Sequence, residues 1–217
     1  MAVKINPDAV PIYEQFLDQD WERSMSEGSR YFEDKSAVQE TLRKITKRLN
    51  DLGVPYAIAG GMAMYRHGFR RFTEDVDVLV TRDGLNQIHE KLEGLGYVPP
   101  FTGSKNLRDA EHGVRIEFLI TGDYPGDGHP KPVAFPDPEA VAVDLDGINY
   151  LNLPTLVELK LASGMTGGVT RLKDLADVVA LIQALDLPAN FADQLNPYVR
   201  DQYAELWTGV QNSPAPE

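Results

Sequence analysis

Two aspartates set inside an apolar run constrain this chain more than any other feature. Residues 75–80 read Asp-Val-Asp-Val-Leu-Val. A short apolar run of this kind predicts a buried strand. Side chains at i and i+2 of a strand share a face, so Asp75 and Asp77 project together from an otherwise apolar sheet. Burying two unpaired carboxylates side by side is costly, because like charges repel and both lose hydration. A cation resolves both problems. Mg²⁺ takes hard oxygen ligands and binds through one or two carboxylates plus substrate phosphates.

Glycines upstream supply a second element. Residues 55–59 (PYAIA) predict a short strand, Gly60 and Gly61 follow, and 62–67 can form a helical turn. Glycines at a strand-to-helix junction let backbone approach a ligand closely. The helix start then offers free N–H groups to an anion.

Gly60-Gly61, the intervening residues 62–74 and the Asp75-Val76-Asp77-Val78 strand together resemble the signature of the nucleotidyltransferase superfamily of DNA polymerase β type. Residues 71–77 (RFTEDVD) resemble the R-x-T-x-D-x-D form of its small bacterial members, the AbiEii-type toxin and antibiotic nucleotidyltransferases. The resemblance is strongest over 55–120 and weaker over 151–186. It implies an α+β fold, a nucleotidyltransferase-like mixed sheet flanked by helices with a helical C-terminal part. It implies a nucleoside triphosphate (NTP) as substrate, two Mg²⁺ ions held by Asp75 and Asp77, phosphates cradled at Gly60 and Gly61, and nucleotide contacts from Arg71 and Thr73.

The family pattern also requires a third carboxylate on a neighbouring strand. In residues 114–120 (VRIEFLI), alternation puts Val114, Ile116, Phe118 and Ile120 on one face and Arg115, Glu117 and Leu119 on the other. Glu117 is the acid of this run and the expected third metal ligand and catalytic residue; Asp109, Glu111 and Asp123 are the loop alternatives. The chain departs from the common pattern twice, with Gly61 where many members have serine and Glu117 where aspartate is commoner. Residues 158–182 resemble the family's later K…R-x-K-D-x-x-D region, at Lys160, Arg171, Lys173, Asp174 and Asp177. There the lysine is expected on the nucleotide phosphates and the acid in the pocket wall, so Lys160 and Asp174 join the binding set. A surface pair between Lys173 and Asp177 at i, i+4 is the structural alternative.

The 217 residues suffice for one large or two small domains with a real core. No apolar run approaches the roughly 20 residues a bilayer span needs. The first residues lack a basic flank with an apolar core, so neither membrane nor signal peptide is expected. With no cysteine, thiolate zinc sites and disulfides are excluded, and a cytoplasmic location is the expectation. The net charge of -12 disfavours bulk duplex nucleic acid. A local basic patch at Arg66, His67, Arg70 and Arg71 could still hold nucleic acid, whereas Arg43, Lys44, Lys47 and Arg48 read as one solvated helix face.

The expected organisation is an N-terminal helical extension over 1–35, a core over 36–153, a helical part over 154–210 and a frayed tail over 211–217. The extension is read as one helix near 8–20 followed by a loop. Ser36 to Gln39 has the form of a capping box before an apolar helical repeat ending at Gly53. Residues 83–95 read as a helix, and 140–151 as a hairpin around Asp146-Gly147. Thr155 to Glu158 suggests a second capping box, with Leu156, Leu159 and Met165 facing inward and Gly164, Gly167 and Gly168 as breakers. Residues 170–185 form a helix with Leu172, Leu175, Val178, Val179 and Ile182 as its stripe.

Two functions follow. One is an Mg²⁺-dependent enzyme transferring a nucleoside monophosphate to an acceptor hydroxyl on a small molecule, tRNA or protein, as a toxin or defence enzyme with a cognate antitoxin as partner. The other is a non-catalytic nucleotide-binding or protein-interaction module on the same fold.

Overall fold

In the computed structural model, residues 10–213 are described. Part of the helix expected from residue 8 and the last residues of the tail lie outside them. The chain opens with α1 (Tyr13–Gln19) and α2 (Trp21–Phe32), so a second helix replaces the expected loop. The following helix, α3 (Ala37–Leu52), starts as its sequence predicts. Gln39 N donates to Ser36 Oγ at 3.4 Å and Ser36 N donates to Gln39 Oε1 at 3.0 Å, completing the capping box. Val38, Ile45 and Leu49 on this helix are fully buried, while Arg43, Lys47 and Arg48 face solvent.

Strand β1 (Tyr56–Ile58) leads into α4 (Gly60–His67), then β2 (Asp75–Val80) and α5 (Arg82–Leu92). Thr81 caps α5 by accepting from Gly84 N at 3.0 Å, so that helix starts earlier and ends sooner than expected. Two short strands, β3 (Tyr97–Val98) and β4 (Leu107–Asp109), occupy the stretch between α5 and the strand read at 114–120. They precede β5 (Arg115–Ile120); a one-turn helix α6 (Pro138–Val141) leads to the hairpin β6 (Ala142–Leu145) and β7 (Ile148–Leu151). At its tip Asp146 and Gly147 both take positive φ, 57° and 82°, the conformation a two-residue hairpin turn requires.

Among the described residues the strands form one mixed sheet in the order β3-β4-β5-β2-β1-β7-β6. The two central strands, β2 and β5, run parallel, with Asp75 opposite Arg115 and Asp77 opposite Glu117. Val76, Val78 and Val80 are fully buried with Ile116, Phe118 and Ile120. Helix α3 packs against β2 and α5 against β5. Burying the six side chains on this face contributes roughly 1.5–3 kcal/mol each before conformational entropy is counted. It fixes the register, because a one-residue slip would turn the acids into the core.

The helical C-terminal part comprises α7 (Leu153–Thr166), a 3₁₀ turn (Gly168–Arg171), α8 (Leu172–Ala184), a second 3₁₀ segment (Ala189–Gln194) and α9 (Pro197–Asn212). The fold is therefore the expected mixed sheet flanked by helices. Asn152, rather than Thr155, caps α7, with Asn152 Oδ1 accepting from Thr155 N at 2.9 Å. Gly164 lies inside α7 instead of breaking it. A Cβ there would come within 2.5 Å of Leu175 Cγ, so the glycine lets α8 pack closely. Met165 and Leu172, expected inside, are exposed, and Leu181 fills the position facing the core. Helix α4 touches α7 and thereby joins the bundle to the sheet.

Candidate active site

The polar face of β2 and β5 forms the floor of a cleft of about 670 Å³ whose far wall is α7 and the start of α8. Parallel register sets Glu117 beside Asp77, and the i, i+2 alternation sets Asp75 beside both. Ligand oxygens of Asp75, Asp77 and Glu117 all lie within 4.8 Å of one another. Burial, then the neighbouring charges of Asp75 and Glu117, push the Asp77 carboxyl up to about 7; Lys160 and Lys173 oppose the shift. A site that holds a proton on a carboxylate at neutral pH is one that a divalent cation would relieve.

The glycine pair is explained by side chains as well as by any ligand. Gly60 opens α4 with φ +55°, and a Cβ on it would collide with the Asp77 carboxylate. At Gly61, a Cβ would approach Thr73 Oγ1 to 2.8 Å. Thr73 is buried and its hydroxyl donates to Asp75 Oδ1 at 2.9 Å. Both glycines thus admit the groups that aim the aspartates. Gly60→Ala should cost about 2 kcal/mol or more in urea unfolding, combining positive-φ strain with displacement of Asp77. A fully stable variant would mean that Asp77 moves freely.

The second constellation is a buried ion network. Lys160 Nζ donates to Asp177 Oδ2 at 2.6 Å and to Asp174 Oδ1 at 3.2 Å. Ser163 Oγ donates to Asp174 Oδ2 at 2.7 Å. Arg71 Nη2 donates to Asp177 Oδ2 at 2.9 Å. Lys160, Asp174 and Asp177 are all buried. Asp177 therefore pairs across to Lys160 and Arg71, not with Lys173 along its own helix. Ser163 was not singled out in the sequence, although its place three residues after Lys160 puts it on the same helix face. Lys160, Asp174 and Arg71 line the cleft together with the carboxylates.

The alternatives for the third ligand are engaged elsewhere, and Asp109 ends strand β4 rather than lying in a loop. Asp109 accepts from His112 N at 2.9 Å, Glu111 pairs with Lys44, and Asp123 with Arg82 at 3.4 Å. The basic patch near α4 is dispersed: Arg66 pairs with Asp146, Arg70 lies over the Tyr65 ring, and Arg71 holds Asp177. Two further side chains adjoin the acid triad: Arg115, which alternation already sets on the face of Glu117, and Glu14, which nothing in the sequence singles out. Arg115 reaches Asp75 at 3.1 Å and Glu117 at 3.0 Å, and Glu14 of α1 lies 3.5 Å from Arg115 Nε.

No helix among the described residues is long and apolar enough to cross a membrane. No family model matches the chain, and no curated protein matches it. Among solved structures, the chain is similar to a proposed nucleotidyltransferase from Helicobacter pylori, at TM-score 0.46 and 16% identity over 80% of this chain and 91% of that one. It is also similar to the antibiotic-resistance factor ANT(2'')-Ia, at TM-score 0.47 and 14% identity over 79% of this chain and 96% of that one. At these scores the site itself carries the functional reading.

Proposed function

We propose that this cleft binds an NTP with Mg²⁺ and transfers its nucleoside monophosphate to an acceptor hydroxyl. The observation that carries the reading is the convergence of Asp75, Asp77 and Glu117 from two adjacent parallel strands onto the cleft floor. Hard carboxylate oxygens at this spacing suit one or two Mg²⁺ ions, with phosphate oxygens and water completing the shell. Bound there, Mg²⁺ would neutralise phosphate charge and lower the pKa of the acceptor hydroxyl.

The chain's own residues have separable roles in this reading. Asp75 and Asp77 carry the ligand oxygens, and Thr73 orients Asp75. Gly60 and Gly61 bring backbone N–H groups to the triphosphate at the start of α4. Glu117 takes the proton of the acceptor hydroxyl. The acceptor oxygen bonds to the α-phosphorus, the bond from that phosphorus to the β-bridging oxygen breaks, and pyrophosphate leaves. Lys160 and Arg71, braced by Asp174 and Asp177, offset charge developing on the leaving group. The acceptor is a small molecule, a tRNA end or a protein side chain. A toxin or defence role with a cognate antitoxin belongs to the same reading.

A thermal melt tests the binding half. Mg²⁺ with an NTP at millimolar concentration should raise the melting temperature, and Mg²⁺ alone should raise it little, because phosphate oxygens complete the ion's shell. An unchanged melt with all four NTPs contradicts a nucleotide site. Glu117→Gln tests the chemical half. It should lower turnover by roughly a hundredfold or more while NTP binding persists, the scale expected for a positioned base. Normal turnover in that variant would remove Glu117 from the chemistry.

A further inference from the structure

The acid triad already holds a cation supplied by the chain. Arg115 precedes Glu117 by two residues on β5 and shares its face, and the parallel register sets it opposite Asp75. Its Nη1 lies 3.0 Å from Glu117 and its Nη2 3.1 Å from Asp75. One guanidinium thus covers two of the three carboxylates that the metal reading assigns as ligands. A divalent ion and a guanidinium on the same oxygens repel strongly at such separations. They compete for the site.

A receiver for the displaced guanidinium is built beside it. Glu14 lies 3.5 Å from Arg115 Nε, the guanidinium nitrogen that neither Asp75 nor Glu117 engages. It is a fixed group. Arg108, the neighbouring arginine on β4, donates to Glu14 Oε2 at 2.8 Å. Tyr13 N donates to Gly113 O at 3.3 Å and ties the start of α1 to the turn before β5. The N-terminal helix therefore carries a carboxylate to the rim of the site and holds it there.

We infer that Arg115 is the resident counter-cation of the Asp75–Asp77–Glu117 site, and that divalent-ion loading is an exchange in which Arg115 moves to Glu14. This rests on the metal reading above. It makes Arg115 and Glu14 positioning residues that set metal affinity. Loading by the ion alone is weak because the guanidinium must first leave. A nucleotide tips the exchange, since its phosphates bring further ligands for the ion.

Mn²⁺ binding to the full chain without nucleotide, read by the loss of the free-ion electron paramagnetic resonance signal, tests the exchange. The part of the binding lost in Asp77→Asn defines the site and separates it from surface carboxylates. Arg115→Met should tighten this site tenfold or more, and Arg115→Lys should fall between that variant and wild type. Glu14→Gln should weaken it about threefold when Arg115 is present and have no effect alongside Arg115→Met. A plain loss of negative field would persist in the double variant. Unchanged or weaker Mn²⁺ binding in both Arg115 variants, with Asp77→Asn still abolishing the site, overturns the exchange and leaves the metal site standing. Equal Mn²⁺ binding by wild type and Asp77→Asn overturns both.

Discussion

Asp77→Asn should give a folded protein, more stable than wild type without metal, that has lost at least about a thousandfold in nucleotidyl transfer, the several kcal/mol that metal-held charge supplies. The stability half follows from the raised carboxyl. Its folded value of about 7 exceeds the ordinary aspartate value, so the folded protein binds the proton more tightly than the unfolded chain. That stabilisation is complete at and below the ordinary aspartate range and is lost as pH rises through 7. In the metal-free wild type, unfolding free energy should therefore fall between about pH 4 and 7 by up to about 4 kcal/mol. Asn at 77 carries no charge and removes this component of the slope. It still leaves a half-buried amide to satisfy, so the net gain at neutral pH should be about 1–2 kcal/mol, or roughly 3–6 °C. A variant that unfolds instead would make Asp77 a structural residue.

Lys160→Met should be the most destabilising single change at the site. It leaves the Asp174 and Asp177 carboxylates buried without their ammonium, which costs about 3–5 kcal/mol when one partner of a buried pair is removed. Arg71 still meets Asp177 and Ser163 still meets Asp174, so neither acid is wholly bare. Adding Asp174→Asn should recover part of the loss, because one of the two stranded charges goes with it. Urea unfolding of the single and double variants measures both steps. Were Lys160→Met to unfold like wild type and lose only NTP affinity, the lysine would serve the nucleotide alone and not the link between α7 and α8.

What the sequence discloses about this fold is what short-range chemistry controls. The Ser36–Gln39 box, the run at 75–80, the alternation at 114–120 and the Asp146-Gly147 tip each specify their element within a few residues, and each forms. Glu117 could be placed for the same reason: alternation chooses its face before any strand partner is known. Helix α2 is hard to read because Gly28, a poor helix former, lies within it and its outer residues Trp21, Met25 and Phe32 are apolar yet exposed. Strands β3 and β4 are two and three residues long, too short to show a period. Thr155 has the spacing of a cap, but Asn152 precedes it and Pro154 suits the first helical turn, so the helix begins earlier. Long-range pairing accounts for the rest. Nothing local to Asp177 indicates that Arg71 and Lys160 will reach it before Lys173 does. Nothing near Glu14 indicates that α1 will bring it to Arg115.

In the proposed function the triad forms a metal-dependent centre of nucleotidyl transfer. Its most direct test is pyrophosphate release from α-labelled NTPs with Mg²⁺ and a pooled acceptor set of small hydroxyl compounds, tRNA and cell protein, comparing wild type with Asp77→Asn. Wild type should release pyrophosphate and carry label into one acceptor class, and this should be abolished by chelation of Mg²⁺ and absent in Asp77→Asn. Tight NTP binding with no pyrophosphate from any acceptor, or equal release by the two proteins, would contradict it and favour a nucleotide-binding module.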